Sequence, residues 1–195
     1  FLRESVAATA GLTSGLAVAG APALPRVEFG NALGLSEPVQ AGKAVMLAFA
    51  GQVAGDIASG FLSQWARSRK KIILLFILLS TVLIGVYLLA PVRDLAVFYA
   101  VCVCLGFANG YWTLFVTIGA ELFGTNLRAT VATTVPNFVR GAVIPLTALF
   151  LWAKNHLGVI YGALAVGLVT VAVALIALWF LEETFRKDLD YVEKG

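Results

Sequence analysis

The chain has 195 residues, of which 60% are hydrophobic and only 13% are charged, and its formal net charge is +3. A soluble domain carries about 25% charged residues, because its surface is built largely from Lys, Arg, Asp and Glu. The composition therefore excludes an ordinary soluble protein, a disordered chain and a basic nucleic-acid-binding protein. It indicates an integral membrane protein whose main surroundings are the lipid bilayer.

Six stretches are nearly free of charge, and each is long enough for a helix to cross the hydrocarbon core, which takes about 20 residues. They predict transmembrane helices at residues 5–25, 44–64, 72–91, 95–120, 129–153 and 157–181. A secretory signal peptide would supply only one such segment. We therefore expect an all-α membrane domain over the whole chain, 1–195, ending in a solvated tail at 182–195.

Lys and Arg in the short connections indicate the orientation. One side of the membrane carries the basic residues Arg3, Arg67, Arg69, Lys70, Lys71, Arg128, Arg186, Lys187 and Lys194. The other side carries Arg26, Lys43, Arg93 and Lys154. The positive-inside rule therefore predicts that both termini of this segment lie in the cytoplasm. The expected location is the plasma membrane, which in a bacterium is the inner membrane.

The spans differ in polarity. The third and sixth are apolar on all sides, whereas the first, second, fourth and fifth carry rows of small or polar residues. Along the second span, small residues recur every four positions, at Gly51, Gly55, Ser59 and Ser63. Such a stripe predicts the close approach of another helix. The neighbouring row of the same span consists of Gln52, Asp56, Gly60 and Gln64.

The fourth and fifth spans carry polar rows of their own. In the fourth they are Asn109, Thr113, Thr117 and Glu121, and in the fifth they are Thr133, Asn137 and Arg140. A single Thr or Gly in such a row is more often a packing residue than a ligand. Because polar groups inside a membrane face protein or water, we expect these spans to line an interface or cavity and the two apolar spans to be peripheral.

Two charges, Asp56 and Arg140, lie deep within spans, where each costs about 2.5–3.5 kcal/mol or more. One interpretation is an ion pair that fixes two helices. The other is that Arg140 binds an anionic substrate while Asp56 acts as its counter-ion or as a carboxylate that takes up a proton. Both can hold at different stages of a transport cycle.

The residues that would support other chemistry are few. Cys102 and Cys104 lie two positions apart, where helical side chains do not face each other, so we expect packing residues and no disulfide. The one histidine, His156, lies at the end of the fifth span, and no metal or cofactor site is predicted. An enzyme is not expected, since Asp56 lacks a second deep Asp and Ser59 lacks a deep His.

Three segments resemble the major facilitator superfamily. Segment 60–70 (GFLSQWARSRK) resembles the basic loop between the second and third helices of each half, with Gln64 replacing the usual Asp. Segment 121–130 (ELFGTNLRAT) is similar to the Glu…Arg-Ala-Thr segment after the tenth helix of its sugar and organic-solute porters. Segment 181–184 (LEET) is similar to the Pro-Glu-Thr run after their last helix.

The resemblance covers essentially the whole chain and implies helices seven to twelve of a twelve-helix transporter, built as two inverted three-helix repeats. The partner is then a missing N-terminal six-helix half or a second copy, and the start at Phe1 rather than Met favours a fragment. In this family the first and fourth spans face the cavity, while the second and fifth meet the other half. The substrate residues expected there are Asn109, Tyr111, Trp112, Thr113, Asn137 and Arg140.

The resemblance also implies a set of gating residues on the cytoplasmic side, which are Gly60, Gln64, Arg67, Arg69, Lys70, Glu121 and Arg128. Glu121 and Arg128 could pair and unpair between states, or form a static surface pair. The basic loop equally suits anionic lipid headgroups. The function expected is membrane transport of a small organic solute, an organic anion or a sugar-like molecule, by alternating access, with proton symport as one option. The alternative is a structural or assembly subunit that transports nothing.

Overall fold

In the computed structural model of this protein, the described residues are 40–89, 94–181 and 183–185, and the side chains of residues 41, 88, 135, 136, 138–140 and 143 are not described. The described part is helical, without strands. Its helices are α1 (Ala41–Trp65), α2 (Arg69–Leu89), α3 (Leu95–Ala108), α4 (Trp112–Leu122), α5 (Thr125–Gly141), α6 (Val143–Leu157) and α7 (Val159–Phe180). The span predicted at 5–25 and the tail from residue 186 onwards lie outside the described residues.

Four stretches of the described chain are long and apolar enough to cross a membrane, namely Gly42–Trp65, Arg69–Tyr87, Leu95–Leu122 and Val159–Phe180. They coincide with the second, third, fourth and sixth predicted spans. The stretch that begins at Leu95 includes both α3 and α4. The described chain is therefore a bundle with the helix lengths and apolarity of a membrane protein.

The fifth predicted span, 129–153, is not a single helix. The structure divides it into α5 and α6, which meet at Ala142. Proline has no backbone N–H, so Pro145 cannot donate to the carbonyl of Gly141 four residues earlier, and the helical hydrogen-bond ladder is interrupted there. α5 also begins at Thr125, so the connection predicted before residue 129 is the first turn of a helix.

α1 and α3 make the most extensive helix contact of the bundle, and glycines bring their backbones together. A Cβ atom added at Gly51 would overlap the carbonyl oxygen of Val103, and one at Gly55 would overlap that of Phe107. A Cβ at Gly106 of α3 would meet the α1 backbone in the same way. Backbones this close exclude every side chain larger than that of glycine at these positions.

The small-residue stripe predicted in the second span is confirmed as the contact face of α1. Ser59 and Ser63 are 0% and 1% exposed. Their hydroxyl groups donate to carbonyls one turn earlier in α1, at 3.0 and 2.8 Å, so their burial leaves no hydroxyl unsatisfied. The opposite face of α1 exposes large apolar side chains, which are Met46, Phe49, Val53, Ile57, Phe61 and Trp65.

The largest buried cluster lies between α2, α4 and α7. Its side chains are Ile72, Ile73, Phe76, Ile77, Tyr111, Leu114, Ile118, Ala174, Leu178 and Leu181. A second cluster joins the far end of α2 to α3, around Tyr87, Phe98 and Tyr99. α2 and α7, apolar all round in sequence, therefore keep one exposed face each while their other faces form the core.

Candidate functional site at an interrupted membrane helix

The fourth span is interrupted near its middle, between Ala108 and Trp112. The amide of Gly110 donates to the carbonyl of Phe107, three residues back, at 2.9 Å, rather than to a carbonyl four residues back. Gly110 is pressed against the backbone of Gly55 in α1, with no space for a Cβ on either residue. The tight crossing of the two helices thus coincides with a local change in the hydrogen-bond ladder.

Asp56 of α1 reaches the first turn of α4 at this interruption. Its Oδ1 accepts a hydrogen bond from the Thr113 amide at 3.2 Å and another from the Thr113 hydroxyl at 2.9 Å. Amides in the first turn of a helix lack partners within that helix, and the positive end of the helix dipole attracts a carboxylate. A side chain of α1 therefore caps α4 in the middle of the bundle.

α2 supports the other side of the interruption. The Ser80 hydroxyl, which is buried, donates to the carbonyl of Ala108 at 3.0 Å, at the end of α3. One turn earlier, the Phe76 ring stacks on Phe107, with centroids 5.8 Å apart, and meets the Tyr111 ring edge-on at 6.4 Å. The interruption is thus held from two neighbouring helices, by a neutral hydroxyl on α2 and by a carboxylate on α1.

The predicted substrate residues of the fourth span all lie at the interruption, but they do not share a surface. Thr113 is exposed, and Asn109 and Trp112 are half-buried. The Trp112 ring packs against Phe115 at 5.8 Å between centroids. Tyr111 is 2% exposed and belongs to the main core cluster, so in this structure its ring is not open to a solute.

The predicted residues of the fifth span lie on α5. Asn137 is exposed, and its side-chain amide donates to the carbonyl of Thr133 in the same helix at 3.0 Å. Thr133 in turn donates to carbonyls of the preceding turn. The side chain of Arg140 lies outside the described part of the chain, so the Asp56–Arg140 pair stays a prediction.

A second polar cluster joins three helices at the basic end of the bundle, the end at which α1 leads into α2. Glu183, which follows α7, accepts hydrogen bonds from the Ser68 hydroxyl, the Arg69 amide at 3.0 Å and the Lys70 amide at 3.4 Å. Ser68 Oγ also accepts from the amide of Lys71 at 3.2 Å, as an N-cap residue does. The N-terminus of α2 is thus capped by a carboxylate that follows the end of α7.

These hydrogen bonds favour the charged form of Glu183. Partial burial by itself would raise the pKa of this carboxyl. Donors from the Ser68 hydroxyl and from the amides of Arg69, Phe185 and Lys70 stabilise the charged form, and together they hold the pKa below its ordinary value. Glu183 is therefore a carboxylate near neutral pH and complements the dipole of α2.

Two basic side chains complete this cluster. Lys70 Nζ donates to the carbonyls of Trp179 and Leu181, at 3.0 and 2.9 Å, and so caps the C-terminal end of α7. Arg69 Nη2 lies 2.5 Å from Glu121 Oε1, and the pair joins α2 to α4. In the described part of the chain, Arg69 Nε and Glu121 Oε2 are buried without a hydrogen-bond partner.

The other predicted gating residues lie around this cluster. Arg128 donates to the carbonyl of Ala120 at 3.0 Å and to that of Phe123 at 3.5 Å, at the end of α4. Arg67 is exposed in the turn after α1 and has a positive φ of 50°. Gly60 is half-buried with open space around it, and Gln64 is exposed. The two segments that carry the predicted gating residues, 60–70 and 121–128, therefore do meet at this cluster. The side chain that pairs with Glu121 is that of Arg69.

Three residues of these two sites were not singled out from the sequence. Ser68 precedes a basic turn and a long apolar run, which is the pattern of a helix N-cap. Ser80 is one of few polar residues in α2, and Glu183 stands in the segment similar to the Pro-Glu-Thr run. Of the two cysteines, Cys102 is buried as predicted, but Cys104 is exposed and does not pack within the described bundle.

Comparison with known proteins adds no identity. No protein-family model matches the sequence, and neither a curated protein nor a solved structure matches the chain. The functional interpretation therefore depends on the chemistry of the two polar sites.

Proposed function

We propose that this chain forms part of a membrane transporter that moves a small organic solute, an organic anion or a sugar-like molecule, by alternating access. The observation that carries the proposal is the Asp56–Thr113 contact at the interruption of the fourth span. Charged groups and irregular backbone are costly in hydrocarbon and are tolerated where they line water or protein. Interrupted helices near the membrane centre are where many transporters bind substrates and ions.

Exposed polar groups on α4 and α5 also support a polar pathway. Thr113 and Asn137 are exposed and Thr117 is half-buried. Each of them donates a hydrogen bond inside the bundle, but an exposed polar side chain is still less costly facing water or another part of a larger bundle than facing lipid. A second six-helix unit, either an N-terminal half or a second copy, would complete the cavity. Arg140 would supply the positive charge for an anionic solute.

The cluster at the basic end supports alternating access. Glu183, Lys70 and the Arg69–Glu121 pair together join α2, α4 and α7 at one end of the bundle. Ion pairs and helix caps of this kind can be broken and remade between two arrangements that differ by a few kcal/mol. The cluster would hold the cytoplasmic side in one of those arrangements.

Uptake by the full-length protein in liposomes tests the proposal, with labelled organic anions and sugars offered in turn. Arg140→Ala should abolish uptake of an anionic solute while the protein still inserts, and Lys71→Ala, at an exposed basic position, should leave it unchanged. Normal uptake by Arg140→Ala would exclude the anion as substrate.

Cysteine labelling distinguishes transport from a purely structural role. In a Cys104→Ser background, Thr117→Cys and Asn137→Cys should react with a membrane-impermeant thiol reagent, because both positions would line water. Leu78→Cys, on the exposed apolar face of α2, should be protected by lipid. Protection of all three positions, with no uptake, would favour the structural subunit instead.

A further inference from the structure

Polar atoms without a hydrogen-bond partner are buried together at the basic end of the bundle. Within the described residues, the buried side-chain atoms of this kind are Arg69 Nε, Glu121 Oε2 and Thr184 Oγ1. Glu121 and Thr184 are only 9% and 2% exposed. Leaving such atoms unpaired is costly, because each has given up its hydrogen bonds to water. We propose that the three atoms hold one ordered water molecule, a binding site that does not depend on the proposed transport function.

Arg69 and Glu121 meet through one hydrogen bond rather than the two that a guanidinium and a carboxylate can form. Arg69 Nη2 donates to Glu121 Oε1 at 2.5 Å. The nitrogen Nε is attached to the same carbon as Nη2, and the oxygen Oε2 to the same carbon as Oε1. A donor and an acceptor therefore remain unused beside a single contact.

Thr184 belongs to the same cluster because the residues on either side of it contact Arg69. Glu183 accepts a hydrogen bond from the Arg69 amide at 3.0 Å, and the centre of the Phe185 ring lies 6.0 Å from Arg69 Cζ. The Phe185 amide donates back to Glu183 at 3.2 Å, which closes a turn around Thr184. The buried hydroxyl of Thr184 can both donate and accept a hydrogen bond.

The chemistry of the three atoms selects a small neutral molecule. Arg69 Nε can only donate, Glu121 Oε2 accepts, and the Thr184 hydroxyl does either. A metal ion would meet the positive charge of Arg69, and an anion would meet the carboxylates of Glu121 and Glu183. Water accepts from Nε, donates to Oε2 and forms a third hydrogen bond with the hydroxyl. Three hydrogen bonds are typical of a buried water.

This water would connect three separate segments of the chain. Arg69 begins α2, Glu121 is near the end of α4, and Thr184 follows α7. Direct contacts already join α2 to α4 and α2 to the segment after α7. The water adds the remaining link, between α4 and the segment after α7. Solvent is near, because Arg67 and Lys71, on either side of the start of α2, are exposed.

A crystal structure of the full-length protein, at a resolution that shows ordered waters, tests the site directly. A density peak should lie about 2.7–3.2 Å from Arg69 Nε, Glu121 Oε2 and Thr184 Oγ1. A second hydrogen bond between Arg69 and Glu121 without a peak would overturn the proposal, and so would three atoms that stay unpaired. Crystals grown with bromide in place of chloride check the identity, since an anomalous peak there would show an anion instead of water.

Thr184→Val distinguishes a hydroxyl that binds water from one that is simply unpaired. Valine keeps the shape of threonine but neither donates nor accepts. If the water is bound, the variant removes one of its three hydrogen bonds, and the equilibrium constant for unfolding should rise about fivefold. If the hydroxyl is unpaired, its removal relieves an unsatisfied group. Thr184→Val would then be at least as stable as the wild type, and the proposal would be wrong.

Thr170→Val is the matched control. Thr170 is also buried, at 3% exposed, but its hydroxyl donates to two carbonyls of its own helix, α7. In a background with Arg69→Met and Glu121→Leu, which lacks the other two partners of the water, Thr184→Val should lose its effect and Thr170→Val should keep it. An undiminished effect of Thr184→Val in that background would show that the three residues do not share a water.

Discussion

Gly55 of α1 and Gly110, in the interruption between α3 and α4, lie backbone against backbone, and a Cβ on either residue would overlap main-chain atoms. The next residue of α1, Asp56, accepts both hydrogen bonds from Thr113. The glycine contact therefore brings the carboxylate within reach of the first turn of α4. The same glycine contact therefore packs the two spans together and positions the polar site at the centre of the bundle.

Gly55→Ala should destabilise the bundle by about 1–3 kcal/mol, because its methyl group would overlap the Phe107 carbonyl oxygen and force the helices apart. Gly60→Ala on the same helix is the control, since nothing lies within 4 Å of its added Cβ. Unfolding in detergent, followed by circular dichroism, measures both. Equal stability of the two variants would contradict the close α1–α3 contact.

Breaking the Arg69–Glu121 pair should cost up to about 3 kcal/mol when one partner is removed, as in Arg69→Met, because the other charge is left buried. Replacing both, as Arg69→Met with Glu121→Leu, should restore most of the loss, since no unpaired charge is left. Lys71→Met, at an exposed position of the same turn, should change stability by at most about 0.5 kcal/mol. A double-mutant cycle measures the coupling, and additive losses would show that the two side chains do not interact.

Glu183→Gln should remove a pH-dependent contribution to stability. Because hydrogen bonds lower the folded-state pKa of Glu183 from its ordinary value of 4.5, its contacts stabilise the fold above that pH. The stabilisation is lost as the pH falls through the lowered pKa. Unfolding midpoints measured from neutral to acid pH should therefore separate the variant from the wild type at neutral pH and converge at low pH. A constant difference would contradict this role.

Gly158→Ala should destabilise the protein by about 1–3 kcal/mol through backbone strain alone. Gly158 ends α6 with φ at 81° and ψ at 173°, a conformation open essentially to glycine, and nothing lies near its added Cβ. Gly167→Ala, within α7 and also in open space, should instead stabilise by about 0.5–1 kcal/mol. Thermal unfolding distinguishes the two, and a stabilised Gly158→Ala would show that the α6–α7 turn adopts another conformation.

The spacing of small and polar residues along the chain predicted two features of the bundle. The small-residue stripe of the second span is the buried face of α1, because spacing by four places residues on one side of any helix. The predicted substrate residues of the fourth span coincide with its interruption. Tyr111 differs from its neighbours because its ring is buried in the core beside Phe76, which spacing along a regular helix does not anticipate.

The apolar spans were the least informative part of the sequence. Residues of α2 are hydrophobic on every side, so no periodicity indicates which of them contact α4 and α7. In the structure, Phe76 and Ser80 contact the interruption of the fourth span, and Ser68 caps α2 in the turn at the basic end. Those positions depend on where α3 and α7 end, and that is a property of the assembled bundle.

The sequence by itself determined the class of protein, the four predicted spans that coincide with described helices, and the small-residue stripe on which α1 packs. These follow from composition and local periodicity, since burial in lipid and helical geometry act on each segment separately. The tertiary structure alone decided that Asp56 caps α4, that Arg69 pairs with Glu121 and that Glu183 caps the N-terminus of α2. Each of these joins residues more than 50 positions apart, and such contacts depend on how the helices pack rather than on any local pattern.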